Sequence, residues 1–157
     1  AFQGIISPMS QSVFPFVNKL LSESYEHFIS FNKKLFKIAL AIGVVISIFL
    51  FQFAEPIVNI VLGNEYHASV LVLKIIAWLP VVIFLSNVLG IQTMLPLNMQ
   101  KSFALILFFA AMINITLSFL LVPQYFEIGT SISVLITETF VTIAFIAFVK
   151  KNKIRII

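Results

Sequence analysis

Four long apolar runs dominate the chain, at residues 37–53, 69–95, 103–122 and 128–149. A helix needs about 20 mostly apolar residues to cross a hydrocarbon core about 30 Å thick, and each run is of that order. Ahead of them, residues 1–17 are apolar but carry Gln3, Ser7, Ser10, Gln11 and Ser12 together with Pro8 and Pro15. That mixture is expected of the truncated end of a helix facing a polar interior. The predicted fold class is therefore all-α: one polytopic integral membrane helix bundle over residues 1–157, with four transmembrane helices and one partial N-terminal helix.

The links between the runs are also readable. Glu55-Pro56 breaks the first run, and residues 57–62 form a short apolar turn closed by Gly63-Asn64, a helix stop. This predicts a short helix lying at the outer surface. Residues 18–34 hold Glu23, Tyr25, Glu26, His27 and Phe28, which fits an interfacial linker.

Charge orients the set. Lys19, Lys33, Lys34 and Lys37 precede the first run, Lys101 sits between the second and third, and Lys150, Lys151, Lys153 and Arg155 fill the tail at 150–157. The alternate links, 54–68 and 123–127, contain no Lys or Arg. Nine of the ten basic residues thus fall on one side, which the positive-inside rule assigns to the cytoplasm. The C-terminus is predicted to be cytoplasmic. An isoelectric point near 9.5 then follows from topology and calls for no nucleic acid, since no basic run is interleaved with stacking aromatics.

Composition excludes further classes. The chain is 61% hydrophobic and 10% charged, against about 45–50% and 25% in soluble domains, which argues strongly against a water-soluble enzyme. Cysteine is absent, and so is aspartate. Six glutamates and the separated His27 and His67 leave little for a metal cluster, and no cofactor is expected. The chain starts at Ala1 with no basic segment ahead of its first apolar stretch, unlike a signal peptide, and reads as a piece of a longer protein.

Few polar residues lie inside the runs. Glu138 is about ten residues, or about 15 Å, into the last one, near the membrane midplane. A charge there costs on the order of 2.5–3.5 kcal/mol, so it should face a partner or a water-filled cavity. Ser131, Glu138 and Thr142 share one stripe of a 3.6-residue helix. Two readings stay open: a carboxyl that takes up and releases a proton, or one that only holds helices together. Lys74 lies about five residues inside the second run. Its stem can snorkel to the interface; alternatively Lys74, Trp78, Leu85 and Gln92 line one stripe of a straight helix, suited to an anionic headgroup, with Pro80 a bend. Ala39, Gly43 and Ser47, and again Ala110, Asn114 and Ser118, are spaced for close helix packing. Asn87 and Gly90 either pack or loosen the inner end of their helix.

Three stretches resemble the C-terminal half of the polysaccharide and O-antigen flippases, in the superfamily that also holds multidrug exporters and lipid II flippases. They are residues 6–15 (ISPMSQSVFP), 86–103 (SNVLGIQTMLPLNMQKSF) and 124–140 (QYFEIGTSISVLITETF), with LGNEY at 62–66 similar to the family's outer turn. Family members often carry Tyr-Gly ahead of the later glycine, whereas here Phe126-Glu127 precede Ile128-Gly129. The resemblance implies most of the second lobe of a two-lobed transporter in the bacterial inner membrane, with the other lobe in a missing N-terminal half. It implies translocation of a polyprenyl-diphosphate-linked glycan by alternating access with proton or sodium coupling, and Glu138, Lys74, Gln92 and Asn87 as substrate or transport residues. The rivals are a cation-coupled multidrug exporter of the same architecture, a membrane polysaccharide polymerase or acyltransferase, and a noncatalytic assembly subunit. An enzyme would need a positioned acid/base set, usually on a large outer loop, and the outer links here are short.

Overall fold

In the computed structural model the backbone is described for residues 2–63 and 65–156, and side chains from Val13 onward. Helices α1 (Phe2–Glu23), α2 (Tyr25–Gln52), α3 (Ala54–Val61), α4 (His67–Ile76), α5 (Leu79–Leu89) and α6 (Gln100–Lys151) follow in order, with a π-helical segment, Gly90–Met94, continuing α5. Among the described residues there is no strand.

The stretch expected as an interfacial linker is helical. Only Ser24 interrupts it, in an extended conformation, and its side chain caps α2 by accepting from the His27 N–H. The rings of Phe16 and Phe31 meet edge to face with centroids 5.2 Å apart. Fifteen residues of continuous helix would separate them by about 22 Å, so α1 and α2 fold back on each other around Ser24. Val17, Phe28 and Asn32 are fully buried. The polar interior expected for residues 3–12 lies outside the described side chains.

Three helical runs among the described residues are long and apolar enough to cross a membrane: Tyr25–Gln52, His67–Met94 and Gln100–Lys151. The expectation of four spans and a partial fifth differs because residues 103–122 and 128–149 fall in one helical run. That run is not straight. Pro123 interrupts it, and Phe126 takes φ 49°, ψ −124°. Asn114 Nδ2 donates to Thr137 Oγ1 at 3.2 Å, although 23 residues of straight helix would hold them about 35 Å apart. The two arms, 100–125 and 127–151, therefore form a hairpin. Gly129 lets them touch: a Cβ there would lie 2.5 Å from the Leu121 carbonyl oxygen.

Phe126 takes a positive-φ conformation that glycine adopts freely. Such strain costs about 1–3 kcal/mol in a residue with a Cβ, while glycine costs about 1 kcal/mol in chain entropy. Phe126 is exposed, so little packing is lost. Phe126→Gly is expected to stabilise the full-length protein by about 1 kcal/mol, read as a raised melting temperature in detergent.

The remaining packing follows small residues and apolar stripes. Gly43 of α2 lies against α5, where an added Cβ would come within 2.8 Å of Val81 Cα; Ser47, one turn on, is buried. α3 buries Ala54 and Val58 and exposes Ile60 and Val61. Its end at Gly63, with φ +99° and the amide donating to the Val58 and Asn59 carbonyls, is the glycine stop expected there; Asn64 lies outside the described residues. At the far end, Leu89, Met94, Phe145, Val149, Ile154 and Ile156 form a buried cluster.

Candidate functional site

The polar residues inside the apolar runs are placed by two breaks in the 67–94 run. Pro80, in the first turn of α5, has no N–H to donate back to the Ile76 carbonyl, and the chain turns at Ala77 and Trp78 between α4 and α5. Lys74 is half-buried one turn before this break. Trp78 is exposed, and its ring lies 6.1 Å from that of Phe51 on α2.

The second arm of α6 runs beside this break in the same direction. Thr142 Oγ1 lies 2.9 Å from the Val82 carbonyl oxygen of α5 and 3.0 Å from the Glu138 carbonyl oxygen of its own helix. Further along, Gly90 faces the ring of Phe145. These contacts fix the register. Glu138 is four residues before Thr142, as Trp78 is before Val82, so half-buried Glu138 is level with the α4–α5 break. Lys74 is one turn, about 6 Å, further along the axis. Among the described residues Lys74 and Glu138 form no ion pair; the pair present is Lys19–Glu23 at 3.8 Å on the exposed α1 surface. Ser131 and Thr142, on the Glu138 stripe, are buried. An acid and a base thus flank a helix break that has lost a backbone hydrogen bond, and Thr142 ties the acid's turn to the chain beyond the break.

A second polar group lies roughly 25 Å from Lys74 along the same run. Gly90 to Met94 adopt the wider π register: the Leu95 amide donates to the Gly90 carbonyl at 3.2 Å, and Thr93 Oγ1 to the Val88 carbonyl at 2.8 Å. Both bonds span five residues. Gly90 permits this because a Cβ would come within 2.8 Å of the stacked rings of Phe103 and Phe145. Gln92 and Thr93 are fully buried and Asn87 is half-buried; Asn87 and Gln92 are both engaged in interactions.

Two curated proteins match nearly the whole chain. The protein named "Putative O-antigen transporter" of Escherichia coli (strain K12) is 37% identical over 154 residues, which cover 98% of this chain and 37% of that protein. The protein of the same name from Shigella dysenteriae is 34% identical over 151 residues, covering 96% of this chain and 37% of its own length. The chain is O-antigen-transporter-like in sequence. It spans little more than a third of the length of these relatives. No family profile and no solved structure matches it.

In this O-antigen-transporter-like chain the four residues singled out from sequence do not form one cluster. Glu138 and Lys74 lie within about a turn of one level, and Asn87 and Gln92 lie towards the other end. The stripe through Lys74, Trp78, Leu85 and Gln92 is crossed by two irregularities. One is the turn at Ala77-Trp78, where both residues keep helical φ/ψ, and the other is the π segment, which adds a residue to the turn carrying Gln92. Thr93 joins this group, and its signal in the sequence is the polar Gln92-Thr93 pair just after Gly90 in an otherwise apolar run. Among the described residues no group of three or more His, Cys, Asp or Glu side chains could hold a metal ion.

Proposed function

We propose that the chain is most of one lobe of a transporter that moves a polyprenyl-diphosphate-linked oligosaccharide across the bacterial inner membrane by alternating access. The similarity to O-antigen transporters over 98% of the chain carries this reading. Two further observations support it. The hairpin gives the 52-residue run of α6 two arms, each of crossing length, so α2, the 67–94 run and the two arms would supply four spans, with α1 a fifth, partial element. Intramembrane acid and base also flank a broken helix, an arrangement used where irregular backbone lines a polar path.

In this reading the sugar and diphosphate pass along polar helix faces while the isoprenoid tail stays in lipid, and no covalent step is needed. Lys74 attracts the diphosphate, Gln92 and Asn87 hydrogen-bond polar groups, and Glu138 exchanges the coupling proton. The basic end, with Lys150 to Arg155, lies in the cytoplasm. The other lobe comes from sequence beyond this chain.

Lipid-linked glycan translocation by the full-length protein, in cells lacking their own O-antigen transporter, tests the proposal directly. Restored surface O-antigen without any gain in drug resistance is the expected result. Drug resistance without glycan transport would favour a cation-coupled drug exporter of the same architecture, and glycan polymerisation by the purified protein would favour a polymerase.

A further inference from the structure

We propose that the end of the bundle carrying the α6 C-terminus is a built docking surface for anionic glycerophospholipid headgroups, held in shape by the last residues of the chain. The proposal rests on membrane embedding alone and not on the transported substrate.

The basic tail at 150–157 is folded back into the bundle. Lys153 takes φ 55°, the Ile154 amide donates to the Val149 carbonyl at 3.1 Å, and the Lys153 amide donates to the Lys150 carbonyl at 3.0 Å. This bond pair is a Schellman stop, in which an apolar residue just past the helix packs back onto its last turn. Ile154 does so, at 6% exposure, and Ile156, at 1%, extends the contact. Both belong to the cluster against which Ile29 and Phe36 of α2, Leu97 and Met99 of the link, and Phe103 of α6 pack. The turn alternates inward and outward positions: Ile154 and Ile156 are buried, while Lys150, Lys151, Lys153 and Arg155 are exposed.

The cluster also brings other cations to the same end. Lys33, Lys34 and Lys37 flank Phe36, and Lys101 stands between Met99 and Phe103; all four are exposed. Of the glutamates, Glu55, Glu65 and Glu127 are at the opposite end and Glu138 is mid-bundle, while Glu23, paired with Lys19, and Glu26, one turn before Ile29, lie by the α1–α2 fold on this side. The rim therefore gathers eight cations from three elements and stays strongly positive with Glu26 beside it. Beside a membrane, that chemistry fits phosphate headgroups, each Lys or Arg near the surface contributing about 1 kcal/mol. Topology alone requires the charges to be on this side. It does not require Ile154 and Ile156 to be buried so that the tail's cations are held against the bundle.

The test is lipid retention by full-length protein, read by native mass spectrometry after equilibration with phosphatidylglycerol or phosphatidylcholine in detergent. Wild type is expected to retain phosphatidylglycerol at least tenfold better. Lys150→Gln, Lys151→Gln, Lys153→Gln and Arg155→Gln together should lower that preference by roughly tenfold or more, whereas Lys19→Gln should leave it unchanged. Ile154→Ser with Ile156→Ser keeps every charge but frees the tail, and is expected to lose most of the preference while remaining monodisperse. Equal retention of the two lipids by wild type, or undiminished preference in the four-glutamine variant, overturns the proposal. Undiminished preference in the serine variant overturns the built surface. Glycan transport can fail in these variants or persist without bearing on the readout.

Discussion

Gly129→Val is expected to unfold the α6 hairpin, costing roughly 3 kcal/mol or more. Overpacking is tolerated where a neighbouring side chain can swing aside. Here the atoms in the way are the Leu121 carbonyl, with oxygen and carbon 2.5 and 2.6 Å from the added Cβ, and the Val122 amide nitrogen at 3.0 Å. Backbone this close to Pro123 cannot yield without moving the arm. Gly129 also starts a buried ladder at four-residue spacing: Ser133 Oγ donates to its carbonyl at 2.8 Å, Thr137 Oγ1 donates to the Ser133 carbonyl at 2.7 Å, and Thr137 accepts from Asn114 on the other arm. Parting the arms at Gly129 therefore loosens the cross-arm bond two turns away. Melting of the full-length variant in detergent, with its monodisperse fraction on size exclusion, measures the effect. Thr130→Ala, on the exposed side of the same turn, is the matched control and should be silent. A Gly129→Val protein melting with wild type would show that the arms do not meet through backbone.

The apolar runs were legible because length and hydrophobicity decide where a helix can sit in a bilayer. Gly63 as a helix stop and Gly43 as a contact glycine follow from local sterics, and both are seen. Other features depend on what packs across the space between helices. The 18–34 stretch looked like a linker because its polar residues suggest the interface, yet the apolar positions Phe16, Phe28 and Phe31 stabilise a helical fold-back. The π register at Gly90 was also hidden: Gly90 marks a loose point, but only the opposing rings of Phe103 and Phe145 show why the helix widens there. Residue type similarly picked out Glu138 and Lys74, since ionisable groups are rare in such runs. Their shared level could not be read, because it comes from the Thr142 to Val82 bond between segments 60 residues apart. Ile154 and Ile156 fall within the basic tail at 150–157, where an alternating pattern four residues long carries no signal until something is seen to receive its apolar face.

Glu138→Gln is expected to remove the pH dependence of glycan translocation and to slow gradient-driven transport by at least about tenfold, leaving folding intact. The substitution keeps the side chain's size and its capacity to accept a hydrogen bond, and Thr142 remains bonded to the Val82 carbonyl and to the backbone of residue 138. What is lost is the ability to gain and lose a charge. A charge at membrane depth costs about 3 kcal/mol on insertion scales, and that bounds what one protonation can do. It corresponds to roughly a 100-fold change in a conformational equilibrium, enough to invert a ten-to-one preference but short of the roughly 10⁴-fold needed to go from 1:99 to 99:1. On the proposed reading a proton on Glu138 alone would bias the inward and outward states, and binding of the diphosphate would have to supply the rest. On the same reading Lys74, one turn along and in no ion pair with Glu138, would sense that substrate charge. Lys74→Gln should accordingly weaken apparent glycan affinity while leaving the pH profile in place, and the double variant should show both losses. Translocation in proteoliposomes containing the full-length protein, measured across a pH range with and without a sodium gradient, separates these effects. PH-dependent transport undiminished in Glu138→Gln would remove this residue from coupling, and a rate that follows sodium alone would assign the gradient to a different ion.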